Sequence, residues 1–330
     1  MPEFRQDPTS REWMILAAER AKRPGGTRRS GPHVPPADVD PSCPFCPGNE
    51  HETPPEILRR PASGDWAVRV VPNKYPALVP GLTEPATVTE ELQRRAPARG
   101  HYEVVIEGPR HRADLAAEDD AVLLEVFLAV RERYRVFMRD QDLHLFSLFK
   151  NHGKRAGASL PHPHWQLVAS PLLSPSLRRL LDVAADYHAR HGRSVYDDVI
   201  QREIETEERL VAVTDRFAVF APYAPQWAGE TWVVPREPAV SFGESDDDTL
   251  AAFAAVLRET FRRVAVAFDD PSVNVLVHSA PLRDLKAPGF RWHVRIQPRL
   301  TTPGGFELAT GMAIVTVAPE AMKADRRVGG

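Results

Sequence analysis

The 330-residue chain is short of cysteine, of net charge and of long apolar runs, and each shortage excludes something. Two cysteines, Cys43 and Cys46, cannot form a disulfide framework; in a reducing compartment their Cys-x-x-Cys spacing reads as a metal clip or a redox pair. A formal charge of −3 argues against a nucleic-acid-coating surface, so any phosphate chemistry has to come from locally placed basic groups. No apolar stretch approaches the roughly 20 residues of a membrane span, and the N-terminus, Met1-Pro2-Glu3-Phe4-Arg5-Gln6-Asp7, lacks the apolar run of a secretion signal. The expected setting is the cytoplasm, with neither nucleic acid nor membrane as partner. Proline is the abundant residue: 32 of them, roughly twice the usual share of about 5%. They gather at segment ends and in loops, where they stiffen the connections of an ordered protein.

Periodicity divides the chain. Glu12 to Glu19 reads as a first strand, Arg20 to about Pro41 as a loop, and Trp66 to Val71 as a strand entering the turn Pro72-Asn73-Lys74-Tyr75-Pro76. Residues 80–100 read as a surface loop. A strand around Val104-Val105-Ile106 then leads to Pro109-Arg110-His111 and an acidic helix start at Glu118-Asp119-Asp120. Leu123, Val126, Phe127, Val130, Tyr134 and Phe137 recur at helical spacing, and strands follow at Leu143–Phe149 and His164–Ala169. The same order returns: a strand at Thr231–Arg236, a helix from Ser245 striped by Leu250, Phe253, Val256, Leu257, Phe261 and Val264, then strands at Asn274–His278 and Trp292–Gln297. The offset stays near about 126–131 residues, which predicts duplication and fusion. The expected fold is α+β: two similar halves, 1–175 and 176–330, each a mostly antiparallel sheet with one long packed helix. The second begins with a helical bridge, Leu177–His191 and Tyr196–Leu210.

The sharpest chemical signal is the run from Gly157 through Ser159 to His162-Pro163-His164-Trp165-Gln166. If His164 opens a strand, alternation puts His164 and Gln166 on one face and Trp165 on the other. A neutral imidazole attacks phosphorus well at neutral pH, and a neighbouring carboxamide can steady the charge on the non-bridging oxygens. His164 and Gln166 are therefore the candidate catalytic pair.

These residues resemble the galactose-1-phosphate uridylyltransferase family, the transferase branch of the histidine-triad superfamily. The matching pieces are Asp7-Pro8 with Glu12-Trp13, Glu19-Arg20-Ala21-Lys22-Arg23-Pro24, Cys43-Pro44-Phe45-Cys46-Pro47-Gly48-Asn49-Glu50, Pro72 to Pro76, and Phe149-Lys150-Asn151-His152-Gly153 with the His162–Gln166 run. They stand in family order and end at Gly304-Gly305-Phe306-Glu307. The resemblance implies a ping-pong reaction in which His164 takes the nucleotidyl group from a nucleotide sugar and passes it to a sugar 1-phosphate or phosphate. It further implies a backbone carbonyl near the first histidine that orients the nucleophile, and Gln166 as the mark of a transferase. Arg20, Arg23, Asn73, Asn151, Ser159, Phe306 and Glu307 fall where the family binds substrate. Cys43, Cys46, His111 and His162 match the ligands of one structural zinc (Zn2+).

The second half matches less well. His278 and His293 fit two ligands of an additional metal site of some members, but Arg295 replaces the third, so a second metal is not expected. The duplication offset also puts Arg295 opposite His164. UDP-glucose–hexose-1-phosphate uridylyl transfer, in galactose metabolism, is the first expectation. The alternative is ADP-sugar phosphorolysis: Thr301, Thr302 and Ala313 depart from the sugar-contacting residues of uridylyltransferases, and Gly304–Gly311 looks closer to the ADP-glucose phosphorylase relatives. A non-catalytic nucleotide-sugar-binding module is the outside possibility. The family form is a homodimer, with Arg20, Arg23, Phe306 and Glu307 as candidate cross-subunit contacts.

Overall fold

The computed structural model describes residues 1–22, 38–82, 87–89, 93–111, 115–117 and 119–325. In chain order the strands are β1 (Glu3–Gln6), β2 (Trp13–Leu16), β3 (Leu58–Arg60), β4 (Val68–Pro72), β5 (Thr87–Thr89), β6 (Gln93–Arg95), β7 (His101–Glu107), β8 (Leu145–His152), β9 (His164–Ser170), β10 (Leu210–Val213), β11 (Phe217–Phe220), β12 (Thr231–Pro235), β13 (Val273–His278), β14 (His293–Pro298) and β15 (Ala313–Val315). The helices are α1 (Asp120–Phe137), α2 (Pro175–His191), α3 (Val195–Thr206), α4 (Asp247–Phe268) and α5 (Gly305–Thr310).

Ten strands form one antiparallel sheet in the order β10-β11-β12-β14-β13-β8-β9-β7-β4-β3. Reading outward from the β8–β13 seam gives the same sequence of strands in both directions. The long helices α1 and α4 follow corresponding strands, β7 and β12, and pack against each other. This is the α+β duplication that the constant offset predicts.

Alternation sorts the side chains of each strand. Val105, Trp165 and Leu167, with Val233, Val275, Val294 and Ile296 of the second half, meet the apolar stripes of α1 and α4 in one continuous core. On the opposite face, α2 and α3 cover Ala218, Phe220, Trp232 and Val234 of the second half. The corresponding face of the first half carries Val104 and Ile106, packed by Cys43, Phe45 and Cys46. One half is thus roofed by helices and the other by a cysteine loop.

Caps fix the helix ends. Asp119, Ser174, Ser194 and Asp246 accept hydrogen bonds from the first-turn N–H groups of α1, α2, α3 and α4. Three elements differ from the sequence reading. The bridge helix α3 stops at Thr206 because Glu207 takes a left-handed backbone (φ 51°), and Leu210 opens the edge strand β10 instead of closing the helix. Within residues 80–100, β5 and β6 pair as a short ribbon. The N-terminal strand is the shorter β2, which lies outside the large sheet, between β1 and β15.

Candidate active site

Prolines set up the site. Pro161 and Pro163 lock an extended entry, and the Pro163 carbonyl accepts the Glu107 N–H at 3.0 Å, so regular β9 begins at His164. His164 pairs with Ile106, and Gln166 lies between Val104 and Phe149. Both therefore project from the face that the cysteine loop partly covers, and Trp165 goes into the core between the helices and the sheet.

His164 is buried, with Phe45 edge-on to its ring at 5.4 Å. Its Nδ1 lies 2.8 Å from the His162 carbonyl oxygen. A carbonyl can only accept, so Nδ1 carries the proton, and the neutral ring keeps its lone pair on Nε2. Burial lowers the imidazole pKa from its ordinary value; the His162 carbonyl opposes this, Lys150 reinforces it and Glu107 opposes it. The net effect favours the neutral imidazole.

Two carboxamides border this histidine. Gln166 Oε1 accepts from the Tyr102 hydroxyl at 2.5 Å. Asn151, on the adjacent β8, accepts at Oδ1 from Asn274 Nδ2 at 2.8 Å, and the same nitrogen donates to the Ala156 carbonyl. Each amide is held by its oxygen, which leaves its NH2 for another acceptor. Neither Tyr102 nor Asn274 stood out in the sequence, although the β7 alternation Tyr102, Val104, Ile106 puts the tyrosine on this face. Asn274 comes from the other half of the chain, across the seam.

Beside this face, Cys43, Cys46, His111 and His162 are all buried, and their ligand atoms lie within 4.8 Å of one another. Cys46 Sγ is 3.4 Å from His111 Nδ1 and 3.6 Å from His162 Nδ1. Metal–sulfur and metal–nitrogen bonds of about 2.3 and 2.0 Å imply tetrahedral edges of about 3.5 Å, so the spacing fits a tetrahedral ion. The outer contacts fit as well. His162 Nε2 donates to the Gly108 carbonyl at 3.0 Å, freeing Nδ1 as ligand, and His111 Nε2 lies 3.9 Å from an Asp40 carboxylate oxygen. Without an ion, burial followed by the neighbouring Cys46 pushes the Cys43 thiol up to about 11, and burial draws His162 down to about 4. The cluster is a buried Cys2His2 group able to hold a metal. One member of the cluster, His162, also supplies the carbonyl that tethers His164.

The remaining candidates are dispersed. Asn73 follows β4; its N–H donates to the Tyr102 carbonyl, and its Oδ1 accepts from the Tyr75 N–H. Ser159 is exposed in the loop before Pro161. Arg20 is exposed just beyond β2, and Phe306 and Glu307 lie on α5 just before β15. Because β15 runs parallel to β2, these two groups leave from opposite ends of the small sheet. Glu307 is engaged in capping α5 through the Gly304 N–H. Arg23 lies outside the described residues.

The strand register corrects one correspondence. His293 opens β14 as His164 opens β9, and its Nδ1 likewise meets the carbonyl two residues earlier, Arg291, at 3.0 Å. The counterpart of His164 is therefore His293, and Arg295 corresponds to Gln166. Arg295 Nε donates to His293 Nε2 at 3.2 Å, so both ring nitrogens are occupied. Trp232 and His278 stack on the ring, and burial, reinforced by Arg295, keeps it neutral. The second half retains the histidine and blocks its reactive nitrogen.

The N-terminal domain model of galactose-1-phosphate uridyl transferases matches residues 1–174, and a domain of unknown function (DUF4921) matches residues 109–328. An ADP-glucose phosphorylase of Arabidopsis thaliana is 32% identical over 97% of this chain and 90% of its own length. A galactose-1-phosphate uridylyltransferase of Haemophilus influenzae is 26% identical over 91% of this chain and 84% of its own. The crystal structure of an Arabidopsis thaliana ADP-glucose phosphorylase with bound ADP-glucose superposes with a TM-score of 0.85 at 30% identity, covering 100% of both chains. A uridylyltransferase structure superposes at 0.75 with 26% identity, covering 98% of this chain and 96% of that one. With this match through the site-bearing half and along the whole chain, the protein belongs to the galactose-1-phosphate uridylyltransferase family of nucleotidyltransferases.

Proposed function

We propose that the protein transfers a nucleotidyl group through a covalent nucleotidyl-histidine on His164, with an ADP-sugar as donor and inorganic phosphate as acceptor. The observation that carries the chemistry is the tether from His164 Nδ1 to the His162 carbonyl, which leaves Nε2 as the lone-pair nitrogen beside two amides held by their oxygens. Nε2 attacks the α-phosphorus of the nucleotide sugar, a phosphorus–nitrogen bond forms, and the sugar 1-phosphate leaves with the bridging electrons. A phosphate oxygen then attacks the same phosphorus, releasing ADP and restoring the neutral imidazole. The sugar 1-phosphate departs as an anion and the imidazole, still protonated at Nδ1, as a neutral ring, so neither step needs an external acid.

The ADP-sugar reading is supported by the Arabidopsis ADP-glucose phosphorylase, similar at 32% identity against 26% for the Haemophilus uridylyltransferase, and by the Gly304–Gly311 stretch. UDP-glucose–hexose-1-phosphate uridylyl transfer is the second reading, carried by the N-terminal domain match. Zinc is the proposed ion of the Cys43, Cys46, His111 and His162 group, in a structural role, since four protein ligands leave no open position. Arg20, Arg23, Asn73, Asn151, Ser159, Phe306 and Glu307 are proposed to bind substrate. Because Arg20 and α5 diverge within one chain, a homodimer in which a second copy contributes one of them is the proposed assembly.

The protein is incubated in turn with ADP-glucose and UDP-glucose labelled at the α-phosphorus. The expected result is covalent label from ADP-glucose, discharged by phosphate as ADP, and none in His164→Gly. Label from UDP-glucose alone, discharged by galactose 1-phosphate, selects the second reading. Absence of label from either donor makes the protein a binding module.

A further inference from the structure

Resting on the nucleotidyl-histidine reading, we infer that Tyr102 is a positioning residue for the transfer: its hydroxyl fixes the Gln166 carboxamide so that Nε2, and not Oε1, faces the α-phosphate.

The two ends of a carboxamide are nearly identical in shape and opposite in hydrogen-bonding sense. Beside a phosphate the difference decides the outcome: the NH2 end donates to a non-bridging oxygen, whereas the carbonyl end repels it. Rotation about the terminal torsion of glutamine exchanges the two ends, and that torsion is broad and roughly two-fold. Gln166 therefore needs an external reference.

Tyr102 supplies it. On β7 it lies two residues from Val104, the cross-strand partner of Gln166, so both side chains rise from one face. Its hydroxyl is 2.5 Å from Gln166 Oε1. Burial raises the phenol pKa, so the group stays an O–H donor. Its backbone is pinned independently, because its carbonyl accepts the Asn73 N–H at 2.8 Å. The same device recurs on the other side of His164, where Asn274 holds Asn151 by its oxygen. Two amides held alike around one nucleophile form a coherent anion-facing arrangement.

The test is a double-mutant cycle on single-turnover labelling with α-labelled ADP-glucose, using the wild type, Tyr102→Phe, Gln166→Ala and the double variant. Tyr102→Phe keeps the ring and removes only the hydroxyl. The expected result is labelling about 10- to 100-fold slower, less than the roughly 10²–10³ that losing a donor directly costs, with the donor concentration for half-maximal rate changed less than about threefold. In the Gln166→Ala background, Tyr102→Phe should have no further effect. An unchanged rate in the single variant overturns the inference. So does an equal slowing in both backgrounds, since the hydroxyl would then act without the amide. A wild type that forms no adduct overturns the nucleotidyl-histidine itself, and a labelled wild type with an unaffected Tyr102→Phe overturns only the role of the tyrosine.

Discussion

Lys150 and Glu107 show how much a single strand position can conceal. Both are about 1% exposed, with Lys150 Nζ 2.5 Å from Glu107 Oε2 and 5.8 Å from the Trp165 ring centre. The pair lies under the first residues of β9, on the face opposite His164, and both charges act on the histidine from below. A buried carboxylate deprived of its lysine is strongly destabilised, whereas replacing both charges by neutral groups of similar volume is often close to neutral. Lys150→Met should therefore cost about 3–5 kcal/mol in urea unfolding. Adding Glu107→Gln should recover most of that loss, and a double variant as unstable as the sum of the two single ones would refute the coupling. None of this was legible in the sequence. In the sequence Lys150 is one residue of the Phe149–Gly153 run, and its partner is 43 residues away on a strand that is not its neighbour.

At the level of elements the picture reverses. The apolar stripes of α1 and α4 and the alternation of β9 and β13 were readable because each of these elements buries one face more deeply and shows the period of its backbone. The bridge was harder: Ile200, Ile204 and Leu210 continue a helical stripe, and only the left-handed turn at Glu207 diverts the chain into β10. The strand β6, Gln93-Arg94-Arg95, is exposed throughout and has no apolar residue to reveal it, and the pairing of β15 with β2 is long-range. The contact between α1 and the turn Phe242–Glu244 is another long-range feature. A Cβ at Gly243 would lie 2.2 Å from Tyr134 ring atoms, and Tyr134 is fully buried on α1, its hydroxyl accepting from Ser241. Those atoms belong to a rigid ring in the shared core, so the ring or the turn has to shift. Overpacking of this kind costs typically about 1–3 kcal/mol. Gly243→Ala should lower the melting temperature measurably with the labelling chemistry retained in the folded protein; an unchanged melting temperature would mean that the turn yields freely.

For the whole molecule, duplication explains why one sheet carries two corresponding histidines, His164 and His293, with the Nε2 of His293 engaged by Arg295. The helical roof of α2 and α3 and the Arg295 guanidinium close the His293 side, and the first half keeps its face open by folding a cysteine loop beside His164. The sequence signalled this asymmetry through the placement of cysteine, but it set the correspondence two residues off, since strand register is fixed by pairing across the sheet. The arrangement also sets what metal removal should do. In isolated zinc-finger peptides, binding of the ion at about 10–16 kcal/mol is the folding energy itself. Here the cluster lies at one face of a ten-stranded sheet whose core between α1 and α4 contains none of the four ligands. A bound ion would therefore govern local order: it would tie the Cys43–Cys46 loop, His111 beyond β7 and His162, whose carbonyl tethers His164. Elemental analysis should find about one zinc per chain. Prolonged chelation should abolish covalent labelling and lower the melting temperature with the far-ultraviolet circular dichroism largely kept, and zinc should restore the labelling. Full labelling by metal-free protein would uncouple the cluster from the nucleophile. Global unfolding on chelation would mean that the shared core cannot sustain the sheet without it.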